Sequence, residues 1–216
     1  MKKTNKTEIV FILDRSGSMS GLEGDTIGGY NSFLEKQQKQ KSEARITTVL
    51  FDDKYELLHD RIDLQGVSKI TEQDYFVRGS TALLDAIGKS IQKITNALKN
   101  SKPEYRAENV IFVITTDGME NASREYSYDK IKKMVEQKKS EHGWEFIFLG
   151  ANIDAIETAG RFGIAPGRAQ NYHADEEGLD CCYAAVSSAI MSFREESALP
   201  ADWGAVIEED YKSRKA

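Results

Sequence analysis

The feature that most narrows what this chain can fold into is an alternation of two hydrophobic periods. Short runs of apolar and β-branched residues, EIVFILD at 8–14, ARITTVLFD at 44–52, NVIFVITTD at 109–117 and WEFIFLG at 144–150, are separated by segments whose apolar residues recur every three or four positions. Strand-length runs alternating with helical stripes define an α/β domain built on a mostly parallel sheet. The runs at 8, 109 and 144 are nearly continuous in apolar residues, as strands covered on both faces require, so they belong at the sheet's centre. A fifth run, YELLHDRID at 55–63, follows the second closely and reads as its antiparallel hairpin partner.

The helices follow from the same count. Leu84, Ile87, Ile91, Ile94 and Leu98 place one apolar stripe on a helix over 82–99. Leu179, Tyr183, Val186, Ile190 and Phe193 do so for a second helix, which must end before Pro200. Weaker amphipathic helices are predicted around 22–40, 127–141 and 153–162. The first of these carries Gly24, Gly28 and Gly29, each costing about 1 kcal/mol relative to alanine, so the glycines signal a close backbone approach rather than helix promotion. At 216 residues the chain suits one well-cored domain. Residues 201–216 mix acid, base and three apolar side chains, a pattern compatible with a docked short helix or a frayed end.

Composition excludes some partners. A formal net charge of −6 gives no broad electrostatic footprint for nucleic acid or anionic membrane. No window approaches the ~20 apolar residues of a bilayer span, and the apolar run at 9–13 is too short for a signal-peptide core, so a cytoplasmic location is expected. Cys181 and Cys182 are adjacent and read as reduced thiols on a helix face, with redox sensing as the alternative. His59, His142 and His173 are scattered without ligand spacing, and Tyr126 and Tyr128 read as half-buried packing residues, with contact residues as the alternative.

Ligands of open parallel sheets sit beyond the carboxyl ends of the central strands. Two such strands end there in an acid, Asp14 in FILDRSGS and Asp117 in VITTDGME, and Ser16 and Ser18 follow Asp14 at alternate positions. In RGSTALLD, Thr81 stands at the mouth of the 82–99 helix with its hydroxyl available to the same crevice. Taken singly, each element is equally a turn or a helix cap. Together they are carboxylates and hydroxyls with no histidine or cysteine nearby, a hard-oxygen set suited to Mg²⁺, Mn²⁺ or Ca²⁺ rather than zinc.

DRSGS at 14–18, Thr81 within GSTALLD and Asp117 within TTDG together resemble the metal-ion-dependent adhesion site of the von Willebrand factor A domain family, in the order in which that family places them. The resemblance implies a domain over 6–199 followed by a tail, 200–216, of no assigned role. It implies a Rossmann-like, doubly wound three-layer sandwich with a six-stranded, mostly parallel sheet and one antiparallel edge strand. By the same resemblance Ser16, Ser18 and Thr81 ligate the ion through their hydroxyls, directly or through water, and Asp14 and Asp117 ligate it or hold its waters. One coordination position is left for a carboxylate from a partner protein. The expected function is a non-enzymatic, divalent-metal-dependent protein-binding module, an intracellular scaffold or regulatory subunit that captures an Asp or Glu side chain through Mg²⁺ or, alternatively, Mn²⁺ or Ca²⁺.

Asp52, Glu120, Asn121 and Asn152 follow strand ends and are candidates for the rim of the partner site, with ordinary loop roles as the alternative and a solvated turn as the alternative for Asp52. Two other classes of function stay open. One is a metal-dependent phosphohydrolase with Asp14 as nucleophile, similar to the haloacid dehalogenase family; that chemistry needs an acid two residues on, where this chain has Ser16. The other is a structural subunit whose metal only stabilises the fold. Neither a GxxxxGK[ST] loop nor a GxSxG elbow is present.

Overall fold

The computed structural model describes residues 6–214. Among them six strands form one sheet: β1 (Thr7–Asp14), β2 (Ala44–Phe51), β3 (Tyr55–Asp63), β4 (Asn109–Thr116), β5 (Glu145–Ala151) and β6 (Ala169–Tyr172). Their order is β3-β2-β1-β4-β5-β6, with only β3 antiparallel to its neighbour. The expected sheet of six strands with an antiparallel edge is therefore the architecture found.

β1 shows why the sheet must be covered twice. Ile9, Phe11 and Leu13 point to one face, against helix α1 (Glu23–Gln38) and helix α5 (Glu176–Glu196). Val10 and Ile12 point to the other, against α2 (Leu83–Asn100), α3 (Tyr128–His142) and α4 (Ala155–Arg161). All five side chains are wholly buried. The period of two in the strand thus supplies both layers of the core from one run of sequence. The stripe on α2 faces the sheet as its spacing requires, with Ile87, Ile91 and Ile94 fully buried.

Of the three glycines in α1, only Gly29 makes the predicted close approach. A Cβ there would lie 2.1 Å from the Tyr183 ring on α5, whereas Gly24 and Gly28 face open space. α5 ends at Ser197, in the left-handed region with φ 57, before Pro200. Tyr126 and Tyr128 are half-buried beside the second core, as their sequence setting suggests. Cys182 faces the first core and Cys181 is half-buried; both are free, and burial pushes both thiols up, away from the reactive thiolate.

Two elements lay beyond the hydrophobic pattern. β6, with the sequence AQNY, is four residues long and lacks an apolar run; pairing with β5 from Phe148↔Ala169 to Ala151↔Tyr172 makes it a strand. The C-terminal residues dock as helix α6 (Ala205–Ser213), with Ile207 wholly buried and the Trp203 indole Nε1 donating to the Gly167 carbonyl at 2.8 Å. Arg214 then donates to Asp175, the residue that caps the N-terminus of α5, at 2.7 Å. Among the described residues no helix is long and apolar enough to cross a membrane.

Candidate metal centre

β1 and β4 are neighbours at the middle of the sheet, and the chain winds away from them in opposite directions. The crevice beyond their carboxyl ends is the topological switch point, where such sheets bind ligands. Asp14 closes β1, and Asp117 follows the last residue of β4. The fold alone therefore brings these two acids to one place.

Asp14 is wholly buried. Its Oδ1 accepts from the Ser16 N–H at 2.6 Å, its Oδ2 accepts from the Thr116 hydroxyl at 2.5 Å, and its carbonyl accepts from the Tyr75 hydroxyl at 2.6 Å. All three donors are neutral. Burial accordingly pushes the Asp14 carboxyl up to about 6; the bonds from Thr116 and Ser16 oppose the rise, and the charge of Asp117 adds to it.

The hydroxyls gather over this acid. Ser16 Oγ lies 3.0 Å from Ser18 Oγ and accepts from Thr81 Oγ1 at 3.0 Å, so two loops contribute to one oxygen cluster. Gly118 permits their approach, because a Cβ there would stand 2.8 Å from Ser18 Oγ and 3.2 Å from Thr81 Oγ1. Asp117 is 4% exposed, and its Oδ1 is buried without a hydrogen-bond partner. Burial pushes its carboxyl up, against the opposing hydrogen bond of the Ser18 hydroxyl. A buried carboxylate oxygen with no donor is costly, and a bound cation would remove that cost.

These residues fit a hard divalent ion. Two carboxylates and three hydroxyls converge, one oxygen is orphaned, and the set contains neither histidine nor cysteine. The adjoining loops are fixed by polar contacts that the sequence reading did not anticipate. Gly17 N–H donates to the Gly79 carbonyl at 3.1 Å and Arg78 N–H to the Arg15 carbonyl at 2.9 Å, joining the serine loop to the threonine loop. Asp85, in the first turn of α2, accepts from the backbone N–H groups of Arg124, Glu125 and Tyr126, each at 3.0 Å. An acid in a first turn is commonplace, so nothing in the sequence alone marks Asp85 as an anchor for a distant loop.

The four rim candidates separate. Asn121 is exposed, but its Oδ1 accepts the Thr81 N–H at 2.9 Å, holding the threonine in place. Glu120 turns inward: its Oε1 accepts from the N–H groups of Ala122 and Ser123, and its Oε2 from Leu84 N–H and the Ser123 hydroxyl. Asn152 stands exposed at the end of β5 with φ 54. Asp52 requires a correction. It lies neither in a solvated turn nor on an open rim but wholly buried, with Oδ2 accepting from Arg15 Nε at 3.1 Å and Arg78 Nε at 2.6 Å. The two guanidiniums also reach Glu56 and flank the Phe76 ring, so Asp52 closes an ion-pair network beneath the serine loop.

The geometry defines a class, a doubly wound α/β domain that presents hard-oxygen ligands at its switch point. The family model of the von Willebrand factor type A domain matches residues 8–179, and the chain belongs to that family. Among solved structures it is similar to the D319A mutant of the PilB minor pilin from Streptococcus sanguinis, at 12% identity and TM-score 0.61 over 92% of this chain and 64% of that one. It is also similar to the ArnB paralog VWA2 from Sulfolobus acidocaldarius, at 18% identity and TM-score 0.54 over 88% and 46% of the two chains. Proximal thread matrix protein 1 from the mussel byssus, solved with a zinc-occupied MIDAS motif, matches at 12% identity and TM-score 0.55 over 84% and 44%. At these identities the likeness is one of fold, and the chain spans less than two thirds of each of these proteins. No curated protein matches it in sequence.

Proposed function

We propose that this domain is a divalent-metal-dependent protein-binding module, in which Asp14, Ser16, Ser18, Thr81 and Asp117 hold Mg²⁺ and the ion takes an Asp or Glu side chain of a partner protein. The observation that carries the reading is the orphaned, buried Asp117 Oδ1 beside three hydroxyls in mutual contact. Neutral hydroxyls withdraw little of the cation's charge, so an incoming carboxylate still gains from reaching it. Family membership supports the same reading, because these domains generally bind protein ligands and are generally not enzymes. Mn²⁺ and Ca²⁺ suit the same donors. An intracellular scaffold or regulatory subunit is the setting we assign to it.

The test has two stages. Calorimetric titration of purified protein with Mg²⁺ is expected to give one site, lost in Asp14→Ala; stoichiometric binding retained in that variant would sink the proposal. Retention of partners on immobilised protein is then compared with Mg²⁺, with chelator and with Thr81→Ala. Partners held equally in all three bind another surface, which would return the metal to a role in stability alone.

A further inference from the structure

A groove of about 970 Å³ opens beside the metal centre. The tip of the β2–β3 hairpin forms one wall and the loop 121–125 the other, with the start of α2 as floor. Its near end is lined by Gly79, Ser80 and Asn121, which flank or hold Thr81, so the groove begins at the loop that carries the threonine. Ala82 and Ala86, both buried, lie under the floor, so no bulky apolar side chain fills it.

The charges of this groove are unequal in what they have left to give. Two of its three acids are committed, Asp85 accepting three backbone N–H groups and Glu125 pairing with Lys89 at 2.7 Å; Asp53 is exposed, and its charge acts on the Arg78 guanidinium. Two of its cations are uncommitted. Lys54 on the hairpin wall and Arg124 on the loop wall are exposed, and neither side chain has a hydrogen-bond or ion-pair partner among the described residues. Asn121 has given its Oδ1 to Thr81, leaving its amide N–H₂ to the groove. Two unpaired cations and an amide donor outweigh the one exposed acid, and such a surface suits a ligand rich in acceptors.

We infer that this groove holds an extended acidic segment of the partner protein, with one carboxylate on the metal and a second carried between Lys54 and Arg124. The inference rests on the metal-dependent reading above and adds to it the kind of sequence captured. A lone exposed acid would engage the ion and leave the groove empty; a stretch with acids a few residues apart engages both.

The experiment is phage selection of randomised dodecapeptides on the immobilised protein with Mg²⁺, run in parallel on Lys54→Glu/Arg124→Glu, whose melting temperature reports that it folds. Peptides enriched on wild type are expected to carry two or more acids. Synthesised, they should bind the double variant about tenfold or more weakly at low salt, with wild-type affinity falling as salt is raised. Enriched peptides with a single acid, peptides indifferent to the charge reversals, or no enrichment by a protein that binds Mg²⁺ would each overturn the groove while leaving the metal reading intact. Failure of wild type to bind Mg²⁺, or peptide binding unaffected by chelator, would instead overturn the reading on which it rests.

Discussion

Asp14 and Asp52 occupy equivalent places on neighbouring strands. One ends β1, the other follows the end of β2, and the registers align Asp14 with Phe51. Both are wholly buried. Yet burial pushes the Asp14 carboxyl up to about 6, whereas at Asp52 the same effect is outweighed by the Arg78 hydrogen bond, the Lys54 N–H and the charges of both arginines, which hold it below its ordinary range. Depth is shared and the partners differ. A buried acid satisfied by two guanidiniums is structural; one given only neutral donors beside a second unsatisfied acid is suited to a cation.

The strongest way to break this comparison is to remove each acid in turn and ask whether stability moves in opposite directions. Asp52→Ala leaves the fully buried Arg15, among the described residues, with only half-exposed Glu56 to pair with. Breaking a buried pair in this way typically costs about 3–5 kcal/mol, and urea unfolding should show a loss of that order. A loss under about 1 kcal/mol would mean the network is ornamental.

The converse variant is Asp14→Asn without metal. Its Oδ1 can still accept the Ser16 N–H, and its amide can donate to Thr116 Oγ1, whose own proton then turns to the Gly118 carbonyl 3.1 Å away. The ordinary value of 3.8 rises to about 6 on folding, so keeping this group ionised at pH 7 costs about 3 kcal/mol. The amide lacks that cost, and the metal-free variant should be more stable than wild type by up to this amount, while no longer gaining from Mg²⁺. Equal or lower stability would show that the centre is at ease without an ion.

The pH dependence sharpens the point. A carboxyl raised on folding stabilises the metal-free protein below the unfolded value of 3.8, and that contribution is lost as pH rises through about 6. Metal reverses the sign because the ion requires the ionised form. Mg²⁺ affinity should therefore be level above about pH 7 and fall below pH 6, towards about tenfold, or 1.4 kcal/mol, per unit for this one proton. Titrations between pH 5 and 8 check it; a flat profile would remove Asp14 from the proton balance.

How far the sequence spoke differs between these two acids for a physical reason. Local order carries Asp14, Ser16 and Ser18, because a strand-terminal acid followed by alternate hydroxyls is visible in one pentapeptide, and the sheet's winding places Asp117 beside them. The arginines that neutralise Asp52 come from positions 15 and 78, and Asp85 holds a loop some 40 residues away. Such pairings are made by tertiary approach and leave no periodic trace. β6 escaped for a related reason: its four residues are a strand through pairing with β5, not through their own pattern.

The smallest expected effect isolates what distinguishes Asp14 from its neighbour. The Thr116 hydroxyl donates to Asp14 Oδ2, and Thr116→Val would remove it while nearly keeping the shape. The ionised form loses a hydrogen bond and the protonated form loses less, so the carboxyl rises further. The midpoint of the Mg²⁺ affinity profile should then move to higher pH by up to about one unit, while affinity well above that midpoint changes little because the ion holds the carboxylate instead. An unmoved midpoint with uniformly weaker binding would mean that Thr116 shapes the loop rather than the charge of Asp14. The contrast with Asp52 would then lie in geometry more than in electrostatics.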